Sequence, residues 1–329
     1  MFNFEKLFND FSSLKVAVVG DVMLDTYWWG SVDRISPEAP VPIVAMHKKE
    51  QRIGGAGNVA LNTISLGAET TLFSVIGNDA DADILLSLLQ QENIDVQFIL
   101  KSKERITTNK IRILSRNQQM MRLDAEMVHD ITNDDELQLY NNFITYAQQY
   151  QPALVIFEDY NKGVLTQSLI AKLIAYCKAN NIVTTVDPKR KNFFSYKEVD
   201  IFKPNLKEVK EALNFIFDQV EEPVLNNIHQ QLHQVLAHQI SFITLSEKGV
   251  YIQKNDFAKI IPSHMRKIAD VSGAGDTVIA VASLVYAVTK DIILTAQIAN
   301  LAGGLVCEDV GTVAIDKAKL LAECSLLHI

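Results

Sequence analysis

Cysteine is scarce. The chain has three in 329 residues, Cys177, Cys307 and Cys324, odd in number and far apart. This pattern gives neither a disulfide framework nor a zinc-ligand spacing, and it fits small core residues of a cytoplasmic protein. A strong excess of one charge is also missing. The 31 basic and 39 acidic residues give a net charge of −8, which argues against nucleic acid as the main partner. The charge-free stretch Thr277–Thr289 is too short to cross a bilayer and begins beside Asp276, so no membrane association is expected. Residues 1–15 hold two Lys and two acidic residues among aromatics, with no apolar core or cleavage site. They read as a short surface helix and not as a signal peptide. The seven histidines show no ligand spacing and are expected as surface or core residues. No GxxxxGK[ST] occurs, which excludes a P-loop enzyme.

What is present is enough apolar residue, 48% against 21% charged, for a sizeable α/β core with no linker or internal repeat. β-branched runs at Val16–Val19, Thr71–Ile76, Ala153–Phe157, Ile182–Val186, Ile201–Phe202 and Phe242–Leu245 alternate with helical patterns. That order predicts a parallel sheet covered by helices. In Thr166–Asn180 the apolar residues recur at spacings of three and four, with Thr166 as N-cap. Segments 26–51 and 105–124 break the alternation and read as two antiparallel hairpins inserted in the core. They are expected to form a small sheet over the active site, with an apolar side for a partner subunit; ordinary edge hairpins are the alternative.

Chemistry concentrates at a few turns. Asp270–Thr277 (DVSGAGDT) opens the apolar run Val278–Val288, so Gly273, Ala274 and Gly275 stand where a helix begins. Unpaired N–H groups there bind anions, and Asp276 beside them suits a base acting on a hydroxyl that attacks ATP. An ordinary turn capping a buried helix is the competing reading. Gly54-Gly55-Ala56-Gly57-Asn58 superficially matches a dinucleotide fingerprint, but the charged residues 47–52 before it form no buried strand. Gly55 and Asn58 are read instead as a close backbone approach to a small polar ligand.

Asp21 and Asp25 follow the first strand, where open α/β sheets bind ligands, and Asp21 is a natural clamp for vicinal hydroxyls. Asp25 is as well explained as a turn cap. Asn205 and Glu208 form a capping-box pattern after Pro204, and could also position a hydrated Mg²⁺. Asp187, with Lys189 and Arg190, brings both charge signs to the same crevice, and Ser246-x-x-Gly249 offers a backbone turn to a nucleotide.

In this order the elements at 54–58 and 270–276 resemble the two signatures of the ribokinase-like (PfkB) carbohydrate kinases, over essentially the whole chain. Arg34–Pro42, Leu114–Gln119 and Asp159–Gly163 look like the kinases of D-glycero-β-D-manno-heptose 7-phosphate within that family. These are also the N-terminal halves of bifunctional ADP-heptose synthases in lipopolysaccharide biosynthesis. The resemblance implies a three-layer α/β/α core with a β-sheet lid, paired in a homodimer. It implies Asp276 as base, Gly273–Gly275 as anion hole, and Asn205, Leu206, Lys207 and Glu208 as the nucleotide and Mg²⁺ segment. It gives Asp21, Gly55 and Asn58 to the sugar. Glu208 and Asp187 would reach the metal through water. Arg34, Arg112, Arg116, Arg122 and Lys162 supply a cationic cradle for a sugar phosphate; solvated hairpin charges are the alternative. No His-x-Gly-His nucleotidyltransferase signature follows, so adenylylation is expected from another polypeptide. The expected activity is ATP-dependent phosphorylation of heptose 7-phosphate at the anomeric hydroxyl. Alternatives are a kinase for another sugar phosphate, such as a ketohexose phosphate, and a non-catalytic sugar-nucleotide sensor.

Overall fold

In β1 (Lys15–Gly20), Val16 and Val18 face one apolar cluster while Ala17 and Val19 face another. A strand buried on both faces needs helices on both sides, and the chain supplies them. In the computed structural model, which describes residues 2–115, 118–215, 220–264 and 266–327, the remaining strands in chain order are as follows. They are β2 Val22–Ile35, β3 Pro42–Gly55, β4 Glu69–Gly77, β5 Ile99–Ser102, β6 Asn109–Ser115, β7 Gln118–Ala125, β8 Leu154–Glu158 and β9 Val183–Asp187. Then come β10 Ile201–Phe202, β11 Ile240–Thr244, β12 Val250–Lys254 and β13 Phe257–Ile261. The helices are α1 Phe4–Asp10, α2 Ala56–Ser65, α3 Ala80–Gln91, α4 Asn133–Tyr150, α5 Gln167–Ala179 and α6 Leu206–Leu213. They continue with α7 Glu222–Leu236, α8 Ala274–Thr289, α9 Ile292–Val306 and α10 Lys317–Cys324.

The large sheet has the order β13-β12-β11-β10-β9-β8-β1-β4-β5, parallel except for the β11-β12-β13 edge. Helices α1, α2, α3, α8, α9 and α10 bury their apolar residues on one face, and α4, α5 and α7 on the other. This is the expected three-layer α/β/α core. The six strands expected from β-branched runs are present within a few residues. β5, β12 and β13 are additional, short edge elements that the sequence reading did not assign. Thr166 caps α5 as expected, accepting from the Leu169 N–H.

The chain's order reverses beside β1, since β4 lies on one side of it and β8 on the other. Such a switch point opens a crevice at the strands' C-terminal ends. There β1 runs through Asp21 into β2, and a second sheet begins, with the order β3-β2-β6-β7. Its two antiparallel hairpins are joined by parallel pairing of β2 with β6. This is the small lid sheet the sequence pattern predicts.

One expectation needs correction. α1 is not a surface helix, because Phe4, Leu7 and Phe8, with Phe11 after it, are buried in the cluster that contains α8. The three cysteines are free and buried. Among the histidines, His229 and His238 are buried around the Ser241 hydroxyl, and burial pushes their pKa values down to about 4 and about 3. They are neutral core residues. Among the described residues, no helix is long and apolar enough to cross a membrane.

Candidate active site

Side chains alternate along a strand, so the last residue of each core strand has a predictable face. Leu154 and Ile156 of β8 face the α8 layer, and Glu158 continues that row. In β9, Val183 and Thr185 do the same, Thr185 contacting the Ser283 hydroxyl of α8 at 2.7 Å, and Asp187 follows. Glu158 and Asp187 are register partners on neighbouring strands. Asp276, in the first turn of α8, completes a buried trio whose nearest carboxylate oxygens lie within 4.8 Å of one another.

Asp276 is held from both sides. Asn58 of α2 donates its amide N–H to Oδ2 at 2.8 Å, and the Tyr160 hydroxyl donates to Oδ1 at 2.8 Å. Burial raises the Asp276 pKa to about 6, against the lowering effect of those two donors. A carboxylate poised there accepts a proton near neutral pH. Gly273 caps α8 with φ 79°, and a side chain on it would strike the Asn58 amide. The Ala274 N–H is engaged by the Val271 carbonyl, so the first-turn N–H groups left without an acceptor within the helix are those of Gly275 and Asp276. These two N–H groups stand one residue along from the 273–275 expectation.

Two lysines face the carboxylates. Lys203, 2% exposed, pairs with Asp187 at 2.8 Å. Lys189 bridges Asp187 at 3.1 Å and Glu208 at 2.8 Å. Burial alone would raise Asp187, but these two ammonium charges outweigh it and hold its carboxyl below the ordinary value. Asn205 and Glu208 form the complete capping box of α6. Asn205 also bridges to Thr244, which places Ser246 at the same edge. Leu206 packs into the apolar cluster, and Lys207 points to solvent with Glu211 at 3.8 Å.

Several sequence assignments change. Asp21 is 1% exposed, and its carboxylate accepts the backbone N–H groups of Tyr160 at 2.8 Å, Lys162 at 3.0 Å and Val164 at 3.0 Å. It holds the 160–164 loop. Gly55, with φ 60°, is needed because a side chain there would strike the Asp21 carbonyl; the close approach is to the protein itself. Asn58 is fully buried and spent on Asp276 and Asn62. Gly249, with φ 97°, packs against the Ile261 carbonyl of β13, so its small size serves the fold.

The lid closes the crevice with one face of its sheet. Tyr27 pairs in register with Arg112, and Trp29 with Leu114. With Gln119, Asp270 and Ser272, they line a cavity of about 460 Å³. Asp25 is a β2 residue, not a turn cap, and lies on this face in an ion pair with Arg112. The Tyr27 ring sits between the Arg52 and Arg112 guanidinium groups, at 5.1 and 5.3 Å.

Among the described residues, the members of the expected cationic cradle do not converge. Lys162 pairs with Glu126 at 2.8 Å, and Arg122 grips Asp124 through two hydrogen bonds. Arg34 stands nine residues beyond Asp25 along β2, about 30 Å at strand spacing, and is exposed. Arg116 lies outside the described residues. Of the cradle residues that are described, Arg112 lines the cavity.

Sequence reasoning gave no site role to Tyr160, Glu158, Lys203 or Lys110. Lys110, whose ammonium lies 4.8 Å from the Tyr160 ring centre, is pushed down by burial. Glu158 left the clearest signal, as a charged residue at the last position of an apolar strand run.

The profile of "pfkB family carbohydrate kinase" matches residues 13–318. The chain is similar to the "Bifunctional protein HldE" of Geobacter sulfurreducens, 36% identical over 99% of this chain and 66% of that one. It is similar to the protein of the same name from Methylobacillus flagellatus, 39% identical over 94% and 62%. The chain thus spans about two thirds of the length of these relatives. Among solved structures, phosphofructokinase-2 from Escherichia coli in complex with potassium superposes with a TM-score of 0.79 at 18% identity, covering 95% of this chain and 99% of that one. Arabidopsis thaliana ribokinase with ribose and ATP gives 0.73 at 15%, covering 94% and 98%.

The Asp21 contacts separate two roles by measurement. Losing a buried acceptor of three N–H groups removes charge-assisted bonds contributing about 1.5–3 kcal/mol each and strands the donors. Asp21→Ala is expected to lose at least about 3 kcal/mol of stability in urea unfolding. A sugar clamp would instead lose activity while stability stayed within about 1 kcal/mol of wild type.

Proposed function

The chain belongs to the pfkB family of carbohydrate kinases, and from that membership we propose that it phosphorylates D-glycero-β-D-manno-heptose 7-phosphate at the anomeric hydroxyl. ATP is the donor, and the product is the 1,7-bisphosphate, a precursor on the way to ADP-heptose. The observation that carries the chemistry is the buried Asp276 carboxylate, fixed by Asn58 and Tyr160 in the first turn of α8. Asp276 takes the hydroxyl proton as the sugar oxygen bonds to the γ-phosphorus; the bond from that phosphorus to the bridging oxygen breaks, and ADP leaves. The N–H groups of Gly275 and Asp276 meet charge developing on the transferred group. The N-terminus of α6 at Asn205–Glu208 and the turn at Ser246 flank the nucleotide. Asp25 and Arg112 face the sugar from the lid, in place of Asp21, Gly55 and Asn58.

Mg²⁺ is expected with the nucleotide. The carboxylates of Asp187 and Glu208 are hard oxygen donors, and the Lys189 ammonium between them marks a position that holds a cation. These two residues would hold its water shell, and the ion, when bound, neutralises phosphate charge. The heptose 7-phosphate assignment is supported by the sequence stretches Arg34–Pro42 and Leu114–Gln119, by the likeness to the HldE proteins, and by Arg112 at the cavity.

We further propose a homodimer through the other face of the lid sheet. Trp28 pairs with Ile113, Ile113 with Met121, and Ile111 with Leu123, so this row is apolar. Met121 is 55% exposed and Leu123 44%. Clusters of this kind usually mark interfaces. Trp29, next to Trp28 in the strand, belongs to the cavity face.

Four measurements check these proposals. Asp276→Asn should lower kcat by about 10²–10⁴ in an ADP-release assay while the fold is retained; wild-type kcat at saturation removes Asp276 as base. Because Asp276 works deprotonated and its pKa stands at about 6, kcat/KM should fall as pH drops through about 6 and level off above it. Absence of an ADP burst with any sugar would favour a sensor.

In a panel of heptoses and hexoses, removing the 7-phosphate should lower kcat/KM at least about tenfold, the scale of one charged hydrogen bond of about 1.5–3 kcal/mol from Arg112. Equal efficiency on heptose and heptose 7-phosphate defeats the assignment, and a better ketohexose phosphate would replace it. Light scattering at micromolar concentration should give twice the 36.8 kDa chain mass. A fully active monomer would rule out the lid interface.

A further inference from the structure

We propose that His229, His233 and His238 form an acid-sensitive latch that fastens the C-terminal end of α7 to the start of β11. The cluster sits at the N-terminal end of β11, opposite the crevice, and does not depend on the kinase reading.

The three imidazole rings pack as a triangle, with centroids 5.6, 5.6 and 5.7 Å apart. Two of them reach one buried hydroxyl. Ser241 Oγ lies 2.8 Å from His229 Nδ1 and 2.6 Å from His238 Nε2. A hydroxyl has one proton to give, so the set is complete when one ring accepts it and the other donates. His238 is 0% exposed, and its Nδ1 has no hydrogen-bond partner among the described residues. A proton placed there would make a buried N–H with no acceptor, which is costly. His233 fastens the turn twice. Its Nδ1–H donates to the His238 carbonyl at 2.7 Å, and its own carbonyl accepts the Ala237 N–H at 2.8 Å.

Among the described residues, no counter-ion serves the triangle. β10 contributes the Phe202 ring, 5.5 Å from His238, and β12 and β13 contribute Tyr251, Ala258 and Ile260 on this side. Glu198 and Asp200, before β10, are engaged elsewhere, Glu198 with Lys178 and Asp200 with Thr184 and Gln239. Glu222, in the first turn of α7, stands about 10 Å before His229 at helical rise. Burial, with repulsion from the neighbouring rings, therefore holds His229 at about 4 and His238 at about 3. In an unfolded chain histidine titrates at about 6.5. The folded values lie below the unfolded one, so the unfolded chain binds more protons as pH falls from about 6.5 to about 4, and stability is lost across that window. A local opening that frees the two rings takes up the same protons and is favoured in the same window.

The test compares wild type with the double variant His229→Asn/His238→Gln. Its amides keep the two nitrogen positions that reach Ser241 and cannot be charged. In urea unfolding, lowering the pH from about 6 to about 5 should raise the unfolding constant of wild type at least about tenfold more than that of the variant. Each extra proton taken up contributes up to about tenfold per pH unit. At about pH 5, amide exchange over residues 229–241 should be faster in wild type than in the variant, after correction for the chemical rate. Equal pH dependence of unfolding, or equal exchange over this segment, overturns the proposal. If the double variant does not fold, ring NMR of wild type decides. At least two of the seven histidine ring signals must stay in place from about pH 8 to about pH 5, and fewer than two refutes the latch. None of these readouts uses nucleotide or sugar, so the latch and the kinase reading can fail separately.

Discussion

Asp21 uses every hydrogen-bonding group it has, and the crevice is assembled around it. Its N–H donates to the Glu158 carbonyl of β8, its carbonyl accepts from the Ala56 N–H that begins α2, and its carboxylate takes three N–H groups of the 160–164 loop. One residue therefore joins the end of β1 to the neighbouring strand, to the helix carrying Asn58 and to the loop carrying Tyr160. Those two side chains are the ones that grip Asp276. The carboxylate geometry is thus fixed by a residue that does not touch it. Burial of this knot also dictates its composition. Gly20 and Gly55 sit so close to the Glu158 and Asp21 carbonyls that any Cβ would collide with them.

The α/β architecture was legible because β1, β8 and β9 are apolar on both faces, and continuous apolar runs of that length between helical patterns have few other solutions. Asp276 was legible for a local reason: the apolar run of α8 begins directly after a small-residue turn. The capping box at Asn205 and Glu208 was equally local. Asp21 and Asp25 were harder. Two acids four apart at a strand end look alike in sequence, and what separates them is a set of backbone donors some 139–143 residues away. Asn58 was read as facing a ligand for the same reason, its partner Asp276 lying 218 residues on. Arginines on the lid drew attention as a phosphate cradle. Their nearest acids, Asp124 for Arg122 and Asp25 for Arg112, were in plain view in the sequence but their pairing was not.

The floor of the crevice shows how burial and charge trade against each other. Each acid there is pushed up by desolvation, yet the outcome differs with its partners. Asp187, with two lysines, ends below its ordinary value, while Asp276, with neutral donors only, stands at about 6. Glu158, buried with no hydrogen-bond donor among the described residues and two acidic neighbours, is driven well above its ordinary value. Three carboxylates within one small volume thus have three different proton affinities, set by which residue contributes a cation and which a neutral N–H or O–H. A uniform set of donors would leave no single acid suited to take a proton near neutral pH.

The same two-residue period that sorts the core strands sorts the lid. Tyr27 and Trp29 turn toward the cavity with Arg112, and Trp28 turns away with Ile111 and Ile113, so adjacent tryptophans serve opposite faces. A one-residue slip between β2 and β6 would carry Arg112 out of the cavity and put Ile111 or Ile113 in its place. The Asp25–Arg112 ion pair resists that slip, because it forms only when both residues share the inner face. Its value is therefore less in the net stability it adds, since desolvating both charges offsets their attraction, than in fixing the register. That register keeps the polar inner face and the apolar outer face of a four-stranded sheet from exchanging.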